Sequence, residues 1–147
     1  MGRFILHETI INASVDEVWK ELIAIEDWKW NRWTKLKADN PTEGVKGKLL
    51  ASFEGDDTWK EYDFTFGSVS ESEHLLTWMG GAGPKDCLFS GYHTMQLEAM
   101  DESRTKLIHQ EKFGGILPAI GLGLPFKILD RNYLLMNEAL KNHVECK

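Results

Sequence analysis

The sequence predicts an α+β domain in which a strongly twisted antiparallel sheet packs one face against a single long helix. Three patterns carry that expectation. A capped amphipathic segment follows the first strand-like run, strand-like runs alternate with short polar turns from residue 36 to 113, and a near-heptad apolar stripe runs along the C-terminal segment. The 147 residues fit one domain, 1–147. A chain of that size buries roughly 70% of the surface its unfolded form exposes, enough for a core without staples.

Residues 3–11 (RFILHETII) read as the first strand. In 14-SVDEVWKELIAI-25, Ser14 and Glu17 make a capping-box pair and Asp16 places negative charge at the helix N-terminus. Val15, Val18, Trp19 and Leu22 recur at helical spacing, so one face is buried. The segment 26-EDWKWNRWTK-35 continues as a second short helix or turn. Strand-like runs follow at 47-GKLLASF-53, 58-TWKEYDFTFGSV-69, 74-HLLTWM-79, 87-CLFSGYHTMQLEAM-100 and 104-RTKLIHQEKF-113, joined by short turns as in a meander. Pro125 opens the last helix, whose stripe is Phe126, Leu129, Tyr133, Met136 and Leu140, widened by Ile128, Leu135 and Ala139. The layout is one strand, two small helices, six strands and one long helix. A twisted sheet with a helix on a single face can leave a hollow between them.

Composition removes several classes of function. Net charge is −6, and no basic cluster answers nucleic-acid phosphate or an anionic membrane surface. Cys87 and Cys146 lie in no CxxC motif and at no zinc spacing, so they are expected as free thiols in a reducing compartment. The N-terminus MGRFILHETI lacks the long apolar region of a signal peptide, and the apolar stretch at 113–126 is too short to span a bilayer. The expected location is cytoplasmic.

The sharpest chemical inference comes from strand parity. Successive side chains point to opposite faces of a sheet. In 87–99 the odd positions, Phe89, Gly91, His93, Met95 and Leu97 among them, form the apolar inward face. In 105–113 the odd positions are Leu107, His109, Glu111 and Phe113, and the even ones carry Lys106 and Lys112. A three-residue loop at Asp101–Ser103 pairs Met100 with Arg104, an even sum, and so sets His93 opposite Glu111 and Met95 opposite His109. A carboxylate in an apolar cavity is costly unless paired, and an imidazole can pair it. The alternative is a structural core histidine beside a solvated glutamate, with a bulge at Gly91 breaking the parity. Tyr62, Phe64 and Phe66 share one strand face; with Trp78 they either line a pocket or form ordinary core. Trp28 and Trp30 are expected partly exposed, at a pocket mouth or partner surface.

The chain resembles the helix-grip superfamily, also called START-like, SRPBCC or birch-pollen-allergen-like, and within it the polyketide cyclase/dehydrase-type branch. The residues that carry the resemblance are 10-IINASVDEVWKEL-22, Trp33, 75-LLTWMG-80, 90-SGYHTMQLE-98, 105-TKLIHQEKFGG-115 and 133-YLLMNEALKNHVE-145. It implies a seven-stranded antiparallel sheet wrapped around the long C-terminal helix, two short helices between the first and second strands, and an apolar cavity, with no cofactor and no metal. Where relatives carry Trp-Asn-Pro this chain has Trp33-Thr34-Lys35, so the turn there is expected to differ, and with it one wall of the pocket mouth. Members bind lipids, sterols or polyketides; some are enzymes, some carriers, and some act on a chaperone.

Three classes of function follow. The first is a binding protein for an apolar small molecule (lipid, polyketide or aromatic) lined by Tyr62, Phe64, Phe66, Trp78, Phe89, Met95, Leu117, Ile120, Leu129, Tyr133 and Met136. The second is a metal-free cyclase or dehydratase-type enzyme. It would use His93 and Glu111 as base and orienter, and His109 or Tyr62 as donor to a developing oxyanion. The third is a protein-interaction, co-chaperone-like module. The expected partner is the apolar ligand, with no nucleic acid and no stable membrane insertion, the chain being a monomer or weak homodimer. Glycines and prolines at 114–125 interrupt helix formation; Leu117 and Ile120 there either cover a cavity mouth or belong to a poorly formed first turn.

Overall fold

A computed structural model describes residues 3–82, 89–115 and 125–147, with the backbone alone for Arg3, Ala82 and Phe89. Besides one 3-10 turn, the described elements are β1 (Arg3–Ile11), α1 (Val15–Ile23), β2 (Thr34–Lys37), β3 (Lys46–Ala51), β4 (Lys60–Ser70), β5 (Leu75–Ala82), β6 (Phe89–Asp101), β7 (Arg104–Gly114) and a C-terminal helix, α2 (Phe126–Glu145). The strands form one antiparallel sheet in the order β1-β7-β6-β5-β4-β3-β2. From β2 to β7 it is a meander, and β1 closes the order beside the last strand. This is the seven-stranded sheet and long helix expected from the sequence.

Local chemistry accounts for the first helix. The Glu17 N–H donates to Ser14 Oγ at 3.3 Å, and the Ser14 N–H donates back to Glu17 Oε1 at 3.5 Å. The capping box therefore satisfies two backbone donors that the first turn would otherwise leave open. The buried face of α1 is Val18, Trp19 and Leu22.

Three expectations are corrected. The second helix is a single 3-10 turn, Ile25–Asp27, and the segment after it turns into strand β2. Thr34 and Leu36 are buried while Lys35 and Lys37 are exposed, a period-two pattern too short to stand out beside two lysines. Lysines suit this position, because β2 is an edge strand and charge there opposes pairing with another chain. Trp28 and Trp30 are not exposed: they are core residues, 3% and 9% accessible. Trp28 donates its indole N–H to the Leu22 carbonyl at 3.0 Å and lies 5.4 Å from the Trp30 ring and 6.1 Å from that of Trp78. The 3-10 turn folds these rings back onto α1.

The third correction concerns the β6–β7 turn. Asp101, not Met100, pairs with Arg104, and the register shifts between Ala99 and Asp101. Asp101 fastens the tight turn by accepting from the Ser103 N–H at 2.9 Å and Arg104 Nε at 2.8 Å. Met100 is the extra residue of a bulge, which restores the even sum further along. His93 therefore sits opposite Glu111 and Met95 opposite His109.

The core has two parts. One gathers α1, the 3-10 turn and the inner sheet face around Trp28, Phe64, Phe66, Trp78, Met95 and Leu107. The other, around Ile5, Phe113, Leu129, Tyr133 and Met136, lies under the N-terminal half of α2. The buried residues of α2 are Leu129, Asn132, Tyr133, Met136, Asn137, Leu140 and Val144. Ile128, Leu135 and Ala139, expected to widen the stripe, are half-buried, and two asparagines share the buried face instead. Among the described residues no helix is long and apolar enough to cross a membrane.

Candidate functional site

A cavity of about 90 Å³ opens between the sheet and the first turns of α2. Trp33, Phe53, Tyr62, Trp78, Phe113, Leu129 and Tyr133 supply its aromatic and apolar walls, and Gly80, Gly81 and Gly91 leave room on the sheet side. Thr34, the residue after Trp33, also lines it, so the Thr-Lys departure from the family pattern is where β2 begins and one wall is set. The Trp33 and Thr34 N–H groups both donate to Asn31 Oδ1, at 3.0 and 2.9 Å, which fixes that corner.

One end of the cavity is polar. Tyr133 on α2 donates its hydroxyl to Glu111 Oε1. The same oxygen lies 3.5 Å from His93 Nδ1. The His93 ring stacks on Trp78 at 4.1 Å between centroids and 14° between planes. Behind it, His93 Nε2 and His109 Nε2 are 2.5 Å apart, and His109 Nδ1 lies 2.7 Å from Asn137 Oδ1. Asn137 Nδ2 donates to Thr9 Oγ1 at 3.1 Å and to the His7 carbonyl at 3.4 Å.

This line of contacts fixes where the protons sit. Asn137 spends its NH₂ on β1, so its oxygen must accept, and His109 must carry its proton on Nδ1. Burial pushes the His109 imidazole well below the usual histidine range, and the His93 ring pushes it the same way. A neutral His109 protonated on Nδ1 offers a lone pair at Nε2, so His93 donates from Nε2. His93 Nδ1 then faces the Glu111 carboxylate. Burial first, and the Glu111 carboxylate second, push the Tyr133 phenol well above its ordinary value, so it stays a donor.

The residues singled out from the sequence divide into groups. His93, Glu111, Tyr62, Trp78, Leu129 and Tyr133 line the cavity. His109, Phe64, Phe66, Met95 and Met136 do not: each is 2% accessible or less and packs in the core or behind His93. Phe64 and Phe66 share a strand face with Tyr62, but the cavity occupies one end of the sheet. Further along β4 that face meets the tryptophan cluster, and the two phenylalanine rings pack edge to face at 5.0 Å. His109 is therefore placed to orient His93 rather than to touch a ligand, which removes it as a direct oxyanion donor. The side chain of Phe89, and Leu117 and Ile120, lie outside the described residues. Among the described residues no three of His, Cys, Asp or Glu are grouped to hold a metal ion.

Asn137 and Asn132 went unnoticed in the sequence because amides read as the solvent face of a helix. Their signal was positional: they stand eight and three residues after Leu129, on the stripe that also holds Tyr133 and Met136. Asn132 donates to the Phe53 carbonyl at 3.0 Å and so ties α2 to the cavity rim. In the sequence Gly91 reads as a place for a bulge. The structure instead runs β6 straight through it and seats Glu111 Oε2 in the space a side chain would take.

A sheet wrapped on a long helix, with an aromatic-walled hollow between them, defines the helix-grip fold, and this chain has it. The Zhui aromatase/cyclase from Streptomyces sp. R1128 superposes with a TM-score of 0.74 at 15% identity, over 99% of this chain and 94% of that one. The allergen Ara h 8.0201 superposes with a TM-score of 0.72 at 13% identity, each chain being covered in full. Truncated norcoclaurine synthase from Thalictrum flavum gives 0.70 at 14% identity, over 98% and 94%. At such identities the likeness is one of fold. No protein-family model and no curated protein sequence matches the chain.

Proposed function

We propose that this protein binds a small apolar molecule in the cavity between its sheet and α2. The observation that carries the reading is the combination of aromatic walls with a polar end organised by His93, Glu111 and Tyr133. Ligand sites are typically apolar hollows with a few convergent polar groups. The solved structures of similar fold support the class: one is a cyclase, and a norcoclaurine synthase has been crystallised with dopamine and hydroxybenzaldehyde. Of the two surfaces open to the interaction-module reading, the Trp28 and Trp30 region is buried, and most of the glycine-rich entry to α2 lies outside the described residues.

Size narrows the ligand. A dry hole of about 150 Å³ takes up benzene in an engineered core. A cavity of about 90 Å³ does not enclose a fused-ring polyketide or a long acyl chain in this conformation. A single ring, partly projecting from the mouth, fits best.

The test is to titrate toluene into the protein and follow the six tryptophan indole N–H signals by NMR. Trp33 and Trp78, which line the cavity, are expected to shift together and saturably, while Trp19, on α1, does not. No saturable shift at Trp78 overturns the reading.

A specific observation favours a second reading, an enzyme of cyclase or dehydratase type. The His109–His93–Glu111 line ends on a carboxylate inside the cavity, the arrangement of a base with its orienting partners. Hydrogen–deuterium exchange beside the carbonyl of a small aryl ketone, lost in Glu111→Gln, is its expected sign; exchange unaffected by that substitution refutes it.

A further inference from the structure

We infer that the cavity selects a single-ring molecule carrying a hydrogen-bond donor, a phenolic O–H or ring N–H, and that Glu111 Oε2 is the atom that receives it. The inference rests on the cavity's being a ligand site, as proposed above, and adds the chemical class of the ligand.

The Trp78 indole N–H has no partner but is shut off from the cavity, and the polar atoms of Tyr133 and His93 are committed. Tyr133 spends its hydroxyl proton on Glu111 Oε1. His93 spends its Nε2 proton on His109, and its Nδ1 faces Glu111 Oε1 at 3.5 Å. Those contacts all fall on one carboxylate oxygen. Among the described residues the other, Oε2, receives no hydrogen bond. It rests against the bare Cα of Gly91, where an added Cβ would overlap it. Both residues line the cavity, and the Glu111 side chain is 12% accessible, enough to be reached from inside the hollow.

Oε2 is an open acceptor on the cavity wall, so a ligand that supplies a donor there gains a hydrogen bond to a carboxylate. A ligand that brings only acceptors meets repulsion instead. The aromatic walls favour a planar ring, and the volume limits it to one.

The experiment compares toluene, phenol and anisole at neutral pH, with affinities taken from the Trp78 indole shift or by calorimetry. Phenol is expected to bind about tenfold more tightly than toluene or better, the factor a single hydrogen bond to a charged acceptor carries. Anisole, which brings an acceptor and no donor, is expected to bind more weakly than phenol. In Glu111→Leu the ratio of phenol to toluene affinity should collapse toward one. Equal binding of phenol and toluene to the native protein overturns the inference while leaving the cavity reading standing. So does anisole outdoing phenol, or a phenol preference that survives Glu111→Leu. If none of the three probes binds, both readings fall. The native-protein comparison decides even if the variant does not fold.

Discussion

Replacing Gly91 by alanine is expected to destabilise the protein by on the order of 1–3 kcal/mol and to abolish measurable binding of small ring compounds. The sign is what makes the experiment informative. Glycine in the interior of a strand is a weak choice, and alanine there normally gains about 0.5–1 kcal/mol from the unfolded chain's lost freedom. Gly91 is an interior residue of β6, opposite Phe113, with no left-handed backbone conformation to defend. On backbone grounds alone, then, the substitution should stabilise. The packing says the opposite. An alanine Cβ would overlap Glu111 Oε2 and lie 3.1 Å from its carboxylate carbon. The carboxylate is not a free end that can swing aside, because Tyr133 and His93 hold its other oxygen. Moving it breaks one of those contacts and leaves a buried polar group unmatched. Chemical denaturation gives the stability change, and toluene and phenol titrations give the binding. Gly91→Ala as stable as the native protein, with unchanged phenol affinity, would show that Glu111 does not occupy the place assigned to it.

Much of this could be read in the sequence, and the parts that could not share a cause. Alternation on β6 and β7 was enough to put His93 opposite Glu111, since a period of two fixes the face of every residue once one pair is known. The turn between them was read one residue too long, yet the Met100 bulge cancelled the difference. What parity does not supply is depth. It placed His109 on the same inward face as Glu111, but it gave no way to see that His109 lies behind His93 and out of reach of the cavity. The same limit applies to Tyr62, Phe64 and Phe66: one strand face, of which only Tyr62 reaches the hollow. Position along a strand relative to a helix laid across the sheet depends on tertiary packing, not on local pattern. Trp28 and Trp30 were misplaced for a related reason. A short segment with two lysines and an arginine among its tryptophans looks like a surface, but the 3-10 turn directs the rings inward and the cations outward.

Asn137 tests the proton assignment from the far end of the line. Asn137→Leu is expected to cost about 1–3 kcal/mol, because the buried His109 Nδ1–H loses its acceptor. Asn137→Asp keeps an acceptor at that place and adds negative charge, so it separates a packing role from a proton-setting one. In the native protein the His109 imidazole titrates well below its unfolded value of about 6.5. A folded-state pKa depressed in a histidine means that the unfolded chain binds the proton first. The contribution of His109 to stability is therefore complete above about pH 6.5 and is lost as pH falls below it, by up to about 1.4 kcal/mol per pH unit until the folded-state value is reached. Beside it, an aspartate at 137 stabilises the imidazolium and should flatten that part of the acid limb. The groups facing His109 are His93 from β6, Tyr133 from α2 and His7 from β1, whose Nε2 in turn meets Asp130 at 3.0 Å, so bulk unfolding curves mix several titrations. Ring-nitrogen NMR resolves them. Native His109 should carry its proton on Nδ1 and keep a bare Nε2 down to mildly acidic pH. With aspartate at 137, His109 gains a proton on Nε2, and His93 must answer by moving its own to Nδ1, toward Glu111. A native His109 protonated on Nε2 at neutral pH would reverse the donor order from Asn137 to Glu111.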